Sequence, residues 1–429
     1  MRFRSVVDSI KTGLSGAALV VLAVTWLCAQ PVLASSDNPV THWNCVAAEA
    51  FAPTQGTNPV GQSRAFAILH ASIHDALNAI DSRYRPYTPG LATDSGASPD
   101  AAVAAASVTV LTELIPDQRV AINEAFAKAL AAIPDGPAKD SGISLGQTAA
   151  LNTLRRRQHD GADRAAEPVF VARSGPGEYQ FTAPFDFAVF PGWGRVDTFA
   201  IKLDDHEQDG PLPLSSAQYA RDFQLVKEIG RIDSRTRTAE QSQIAQFWYE
   251  DSPLGWNRIT NTVVLQKHMD AWAAARAFAL VNFAMADAYI AGFAEKYCFR
   301  FWRPVTAIQE AGTDGNTRTE PDPAWQPFLV TPPVPDYPST HSLVGSAAAE
   351  VLIDFFGDRV RYSTTSLTLP GVTRSFRGFS EAAEENGDSR VFSGIHFPHA
   401  VRDGHRQGRS IGRAVERLLP AIQKGPGSY

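Results

Sequence analysis

The segment AWAAARAFALVNFAMADAYIAGFA, residues 271–294, comes nearest to the composition of a membrane-spanning helix in the chain after its N-terminal region. Such a helix needs about 20 consecutive apolar residues. Arg276, Asn282 and Asp287 interrupt this run. The segment therefore predicts a helix buried in a protein core, and the sequence argues against an enzyme with several membrane spans.

Helical patterns dominate on both sides of this segment, and alternating strand patterns are scarce. The chain of 429 residues is longer than one small core usually covers. We therefore predict an all-α protein of two packed helical sub-bundles. Residues 35–250 are expected to form an N-terminal helical bundle with a wrapping loop, and residues 251–429 a C-terminal bundle of the four-helix type. Individual helices are expected at residues 62–80, 101–114, 117–133, 142–157, 216–229, 239–249, 267–294, 342–356 and 398–419.

The composition is that of an ordinary folded protein, with 44% hydrophobic and 20% charged residues. The net charge of −6 lacks the basic excess that a nucleic-acid partner requires, so no such partner is expected. Residues 162–215 are rich in Phe, Pro and Gly and form the main irregular stretch. A loop of this length in a compact protein is usually functional or wraps the fold, and its aromatic residues favour packing over disorder.

The first 34 residues have the pattern of a signal peptide. Arg2, Arg4 and Lys11 precede an apolar run, and small residues lead to Ala34. We expect cleavage after Ala34 and export to the periplasm or the medium, with no membrane span left in the mature protein. Two cysteines, Cys45 and Cys298, then remain, and we predict buried thiols rather than a disulfide.

Three short segments in the last third of the chain concentrate cations, hydroxyl groups and imidazoles. The first reads KYCFRFWRP from Lys296 to Pro304. Because proline disfavours helical geometry in the residue before it, Arg303 should lie just beyond a helix end. Lys296 and Arg303 together suit a desolvated anion, although a solvated cationic helix end is the commoner explanation for such a pair.

The second segment, DYPSTHS, starts at Asp336 and is followed by an apolar, Ala-rich helical pattern. Ser339 and Thr340 stand where that helix begins, so backbone N–H groups and a hydroxyl can point at an oxyanion. His341 beside them can exchange a proton near neutral pH. A plain Ser/Thr cap with an incidental histidine is the alternative.

The third segment, SRVFSGIH, runs from residue 389 to residue 396. A turn, most simply at Gly394, must bring Arg390 and His396 together. His396 can be a nucleophile, a metal ligand or a buried structural histidine. Taken together, the three segments supply the donors that hold a tetrahedral or trigonal-bipyramidal oxyanion with several negative charges, at the mouth of the C-terminal bundle.

These segments resemble the three-part signature shared by vanadium-dependent haloperoxidases and the type-2 phosphatidic acid phosphatase superfamily. The Phe-x-Phe-Trp-Arg-Pro form at residues 299–304 and the Pro-Asp-Tyr-Pro-Ser form at residues 335–339 are similar to the haloperoxidase branch in particular, as is the early helical pattern at residues 64–76.

The resemblance implies an exported enzyme that oxidises halide with hydrogen peroxide at a His-bound vanadate. His396 would be the metal ligand, while Lys296, Arg303 and Arg390 would neutralise the equatorial oxygens. Ser339 and the Thr340 N–H would donate to the same oxygens. His341 would act as acid and base when peroxide binds, and Lys296 would polarise the peroxide; the catalytic residues are thus His341, His396 and Lys296.

The same residues describe a soluble exported acid phosphatase when phosphate takes the place of vanadate. His396 would then attack the phosphorus of a small phosphoester, and His341 would protonate the leaving oxygen. The halide pocket of the family often has an aromatic residue or histidine where this chain has Val334, which favours bromide over chloride. The sequence is also compatible with a homo-oligomer.

The sequence also departs from the family pattern at two positions close to the histidines. Thr340 replaces the usual glycine before His341, and its β-branched side chain is expected to narrow the pocket. Ala400 replaces an acidic residue four positions after His396. The second ring nitrogen of His396 therefore needs another partner, for which Asp403 or a backbone carbonyl is expected.

A separate histidine pair lies on the early helical pattern. His70 and His74 are four residues apart, a spacing that can hold a metal ion. No third ligand is evident nearby, and the neighbouring Asp75 favours a hydrogen-bond network instead.

Overall fold

The computed structural model describes residues 38–165 and 167–422, so the predicted signal peptide, residues 1–34, lies outside the described residues. The N-terminal part of the described chain forms α1 (Pro39–Phe51), α2 (Pro59–Ile80), α3 (Pro99–Leu114), α4 (Arg119–Ala131), α5 (Pro137–Arg156), α6 (Ala217–Ile229) and α7 (Ala239–Phe247). The C-terminal part forms α8 (Ser252–Gln266), α9 (Ala271–Phe299), α10 (Pro304–Gln309), α11 (Thr340–Phe356), α12 (Phe379–Phe392) and α13 (Pro398–Val415). The prediction of an all-α protein is confirmed.

Helix α9 is the central element of the fold. Asp270 caps its first turn by accepting a hydrogen bond from the Ala273 N–H at 2.9 Å. Within the described residues, α9 is the helix long and apolar enough to cross a membrane, and its most apolar window is 94% buried inside the protein. It packs against α2 on one side and against α11 on the other. The expected buried core helix is therefore present, and it links the two parts of the chain.

Helices α11 and α13 approach each other closely because α13 presents glycines to its neighbour. A Cβ atom at Gly408 would lie 2.2 Å from the Leu343 carbonyl oxygen, and one at Gly404 would lie 2.6 Å from the Ser339 carbonyl oxygen. Only glycine permits backbones to come this near. The contact fixes the start of α11 beside the start of α13.

Several elements were not predicted from the sequence. They are an antiparallel hairpin of β1 (Tyr362–Thr365) and β2 (Thr373–Phe376) and four helices: α1, α8, α10 and α12, the last of which carries Arg390. The irregular stretch within residues 162–215 contains only short 3₁₀ turns in its described residues. Asp287 of α9 accepts hydrogen bonds from the backbone of residues 199–201 at 2.6–3.1 Å, so this loop wraps against α9.

One further prediction from the sequence is wrong, and another stays a prediction. Cys298 is exposed and Cys45 is only half-buried, with no disulfide between them, so the prediction of two buried thiols is wrong. The predicted division of the chain after residue 250 stays a prediction.

Candidate functional site

Lys296 lies in the last turn of α9, where the chain leaves helical geometry. Arg300 takes a left-handed conformation with φ of 51° and ends the helix. The Lys296 ammonium group is fully buried and donates to the carbonyl oxygens of Pro335 at 2.7 Å, Asp336 at 2.9 Å and Pro338 at 2.7 Å. Burial lowers the pKa of Lys296 well below its usual value, and the charge of Arg303 lowers it further. Lys296 therefore joins the first predicted segment to the second.

Arg303 joins the same two segments to the third. As predicted, it lies outside helical geometry, in an extended conformation just before α10. Its Nε donates to the Val334 carbonyl oxygen at 2.7 Å, and one terminal nitrogen donates to the Ile395 carbonyl oxygen at 2.7 Å. That terminal nitrogen also lies 3.0 Å from Nε2 of His396. The guanidinium group is buried, so it holds the loop before α11 against the loop before α13.

Ser339 and Thr340 stand at the start of α11, as the sequence predicts. The Ser339 side chain makes no capping hydrogen bond to α11 among the described residues, which contradicts the alternative of a plain Ser/Thr cap. Instead it accepts a hydrogen bond from the Ser342 hydroxyl at 2.9 Å. The Thr340 methyl group lies against Gly292 of α9, 2.8 Å from the position of a Cβ there. Gly292 thus provides the room for the β-branched side chain of Thr340.

His341 is in the first turn of α11 and half-buried. Its Nε2 lies 3.1 Å from the Glu250 carbonyl oxygen. Because a carbonyl oxygen only accepts hydrogen bonds, this contact places a proton on Nε2 and leaves the lone pair of the neutral ring on Nδ1. Burial lowers the pKa of His341 well below its usual value, and the charge of Arg390 adds to the effect. Both effects favour the neutral form of the ring.

Arg390 and His396 are brought together by the turn predicted at Gly394, which has φ of 76°. The His396 N–H donates to the Arg390 carbonyl oxygen at 3.2 Å. The Arg390 side chain donates to the Trp248 carbonyl oxygen at 3.2 Å, but its buried Nε has no hydrogen-bond partner in the described part of the chain. Burial lowers the pKa of Arg390 to about 10.

His396 is buried and adjoins all three cations. Burial lowers its pKa well below the usual value, and the charges of Arg303, Lys296 and Arg390 lower it further. Its Nδ1 lies 2.8 Å from Oδ1 of Asp336. Burial raises the pKa of the Asp336 carboxyl group to about 6, with Arg303 opposing the shift.

The expectation that Asp403 orients His396 is wrong. Asp403 accepts a hydrogen bond from the Tyr337 hydroxyl at 2.8 Å and pairs with Arg406 at 2.9 Å. Sequence reasoning missed Asp336 as the neighbour of His396, although it lies in the quoted second segment. The signal that could have identified Asp336 was its position in the same short segment as His341.

The electrostatics of the site call for an anion. Three buried cations converge on the two imidazoles, and one buried carboxylate, Asp336, lies among them. Buried charges without full compensation are costly, so an anion with several negative charges would be strongly favoured here. The unpartnered Nε of Arg390 is a donor available to such an anion. The residues present therefore fit a tetraoxo anion such as vanadate or phosphate.

The early histidine pair belongs to a hydrogen-bond network. His70 Nε2 contacts the Asn44 side-chain oxygen at 3.2 Å, and His74 Nε2 contacts the Arg85 carbonyl oxygen at 3.1 Å. Asp75 accepts from the backbone N–H of Tyr87 at 2.7 Å. Across residues 38–165 and 167–422 there is no group of three His, Cys, Asp or Glu side chains arranged to hold a metal ion.

The structure thus defines a class of protein: an all-α fold with a buried, cationic oxyanion site near two histidines. Residues 276–425 match the family model of the VCPO second helical-bundle domain. The vanadium chloroperoxidase of Curvularia inaequalis is 24% identical over 84% of this chain and 79% of the relative.

Solved structures of vanadium-dependent haloperoxidases are also similar to this chain. A bacterial vanadium-dependent iodoperoxidase superimposes with a TM-score of 0.79 at 25% identity, covering 90% of this chain and 97% of the other. The holo form of a bacterial vanadium-dependent chloroperoxidase superimposes with a TM-score of 0.73 at 17% identity, covering 89% and 97%. The resemblance inferred from the motifs is confirmed: this chain is homologous to vanadium haloperoxidases and has their fold.

Proposed function

We propose that this protein is a vanadium-dependent haloperoxidase that oxidises halide with hydrogen peroxide, and bromide more readily than chloride. The observation that carries the proposal is the convergence of Lys296, Arg303 and Arg390 on the two histidines in one buried region. Vanadate, when bound, supplies the Lewis-acid centre that binds and polarises hydrogen peroxide.

In this proposal, residues of the chain have distinct roles in binding the anion and in proton transfer. His396 would hold the vanadium through Nε2, the ring nitrogen on the side of Arg303. The three cations would hold the oxygens by charge and hydrogen bonds, and Ser339 and the Thr340 N–H would add further donors. Because the His341 proton is held on Nε2 by the Glu250 carbonyl, its Nδ1 can take up a proton from incoming peroxide and return it later.

The halide preference rests on the environment of the cations. Val334 stands where relatives in the family often carry an aromatic residue or a histidine, and its carbonyl oxygen is used by Arg303 at 2.7 Å. An aliphatic side chain offers no donor or ring edge to a halide ion. Chloride is harder to oxidise than bromide, so a weakly built halide pocket favours bromide.

A phosphatase activity is the second candidate. A neutral His396 ring with Nδ1 next to Asp336 at 2.8 Å is also suited to nucleophilic attack on phosphorus. In that reaction His341 would protonate the leaving oxygen of a small phosphoester, and the cations would stabilise the transition-state charge.

The two functions separate in one pair of assays on purified protein. Loaded with orthovanadate, the enzyme should brominate a phenolic dye in the presence of peroxide, and His396→Ala should abolish this activity. The phosphatase would instead be established by two results together. The vanadate-free protein would cleave an aryl phosphate, and the vanadate-loaded protein would not brominate the dye. If His396→Ala kept both activities, the assignment of His396 to the active site would be contradicted.

We also propose that the protein is exported, to the periplasm or the medium. The support is the basic start, the apolar run and the small residues before Ala34. N-terminal sequencing of protein recovered outside the cytoplasm should begin at Ser35. An intact N-terminus on that protein would contradict cleavage.

A further inference from the structure

The side chain of Asp336 is the one carboxylate found against the His396 ring in the described residues. It is fully buried. Its backbone is held at both ends, since its N–H donates to the Phe301 carbonyl at 2.9 Å and its own carbonyl accepts from Lys296 at 2.9 Å. The backbone that carries the carboxylate is therefore fixed beside the ring.

The contact with His396 is short. Oδ1 lies 2.8 Å from Nδ1, while neither carboxylate oxygen has another hydrogen-bond partner of good geometry in residues 38–165 and 167–422. The contact is close but lies outside hydrogen-bond geometry, and Oδ1 is also 3.8 Å from a terminal nitrogen of Arg303. A buried carboxylate left without hydrogen bonds is unfavourable, so it gains from accepting this proton.

Other residues around His396 do not offer an equivalent partner. Ala400 has no polar side chain, although its carbonyl oxygen accepts from the Ser339 N–H at 3.0 Å. Asp403 is engaged with the Tyr337 hydroxyl. His399 is directed to Asp222, at 3.3 Å. Ala400 stands where the resemblance led us to expect an acidic residue, and Asp336 reaches His396 from another segment of the chain.

We propose that Asp336 is the positioning residue for His396: it accepts the Nδ1 proton and so presents the Nε2 lone pair to the anion. This inference rests on the proposed function, because it concerns the nitrogen that would hold vanadium. Partners of this kind fix both the tautomer and the ring direction of a ligating histidine.

A simpler role for Asp336 makes a different prediction. If Asp336 only balances charge, replacing it with neutral asparagine strengthens the binding of every oxyanion alike. If it orients His396, vanadate weakens selectively, because vanadate gains a bond to Nε2 and phosphate is held by the cations alone. The ratio of the two affinities therefore distinguishes the roles and cancels effects common to both anions.

The experiment compares the wild type with Asp336→Asn, using Asp403→Asn as the matched control. Orthovanadate and inorganic phosphate are titrated separately at neutral pH, with circular dichroism to verify folding. Asp336→Asn should lower vanadate affinity by about 10- to 100-fold and leave phosphate affinity equal or higher. Asp403→Asn should leave the ratio unchanged. An unchanged ratio in Asp336→Asn, or an equal loss in the control, overturns the proposal.

A second measurement needs no variant at Asp336. Long-range ¹H–¹⁵N spectra of anion-free wild-type protein, with the His396 signals assigned from their loss in His396→Ala, should show a protonated Nδ1 and a bare Nε2. A proton on Nε2 overturns the inference. Wild-type protein that binds vanadate no more tightly than phosphate would instead refute the proposed function, and the tautomer would still decide the role of Asp336.

Discussion

At the scale of single residues, the two histidines of the site differ in what holds them. His396 adjoins Arg303 and Asp336, at the centre of the cations. His341 contacts the Glu250 carbonyl from the first turn of α11. In the proposed function, the ring of His396 would hold the anion and the ring of His341 would exchange a proton.

Alanine variants should separate these roles. His396→Ala should abolish bromination and weaken vanadate binding, because it removes the ligand itself. His341→Ala should lower turnover by about 10²- to 10⁴-fold while keeping much of the vanadate affinity. Vanadate titration and steady-state bromination of both variants test this. Equal loss of vanadate binding in the two variants would contradict the assignment.

The sequence was sufficient to find the charged side chains that meet in the candidate site. Lys296, Arg303, Arg390 and His396 occur in short segments whose residue types are unusual together, and the structure brings them into one region. The role of Asp336 could not be read in the same way. It depends on the direction of an imidazole ring far along the chain, which is set by the packing of two loops.

At the scale of helices, the site depends on how closely α11 and α13 approach. Ser339 and His341 lie at the start of α11, and His396 lies just before α13. Gly408 allows this approach, because a Cβ there would lie 2.2 Å from the Leu343 carbonyl oxygen. A change in the separation of these helices should therefore reach the anion site.

Gly408→Ala should push the helices apart and lower the free energy of unfolding by about 1–3 kcal/mol, the usual cost of overpacking. Phosphate affinity should fall in the same variant. Gly312→Ala is the control, because the nearest atom to its new Cβ is 3.9 Å away. Urea unfolding and phosphate titration measure both effects. A Gly408→Ala variant as stable as the control would show that the helices yield without cost.

Most helices were predicted close to their observed positions, whereas α1, α8, α10 and α12 were missed. Helix α12 shows one reason. Its sequence FSEAAEENGDSRVF contains Asn386, Gly387 and Asp388, which are poor helix formers. Packing against α11 and α13 stabilises it instead. Gly387 has a specific place in this packing, since a Cβ there would lie 2.1 Å from Nε2 of His405. Such tertiary contacts leave no mark in local periodicity.

At the scale of the whole molecule, buried carboxyl groups couple stability to pH. Burial raises the pKa of Asp75, Asp251 and Glu295 to about 7, and that of Asp287 to about 6. Because these values exceed those of the unfolded chain, about 4, the folded state favours the protonated forms. Their contribution to stability is fully present below pH ~4 and is lost as the pH rises through 6–7.

The variant Asp251→Asn should remove part of this dependence. Asp251 accepts hydrogen bonds from the Gly56 N–H and the Gln62 amide, both at 2.9 Å, and an asparagine oxygen can accept the same bonds. The Tm of the variant relative to wild type should therefore rise by about 3 °C between pH ~5 and ~8. Asp135→Asn, at an exposed carboxylate whose pKa is lowered by Lys139, should show no such rise. If the Tm difference between Asp251→Asn and wild type did not change with pH, the raised pKa of Asp251 would be contradicted.

The uncompensated cations should also make the stability of the whole molecule depend on anions. An anion that binds only the folded state stabilises it by mass action, by about 2.7 kcal/mol at 100 times its dissociation constant. Inorganic phosphate should therefore raise the Tm more than sodium chloride of equal ionic strength. Arg390→Met should reduce this rise, because the buried Nε of Arg390 has no hydrogen-bond partner among the described residues and is available to the anion. Arg409→Met, on the exposed face of α13, should keep the full rise. An equal rise in both variants would place the bound phosphate elsewhere on the protein.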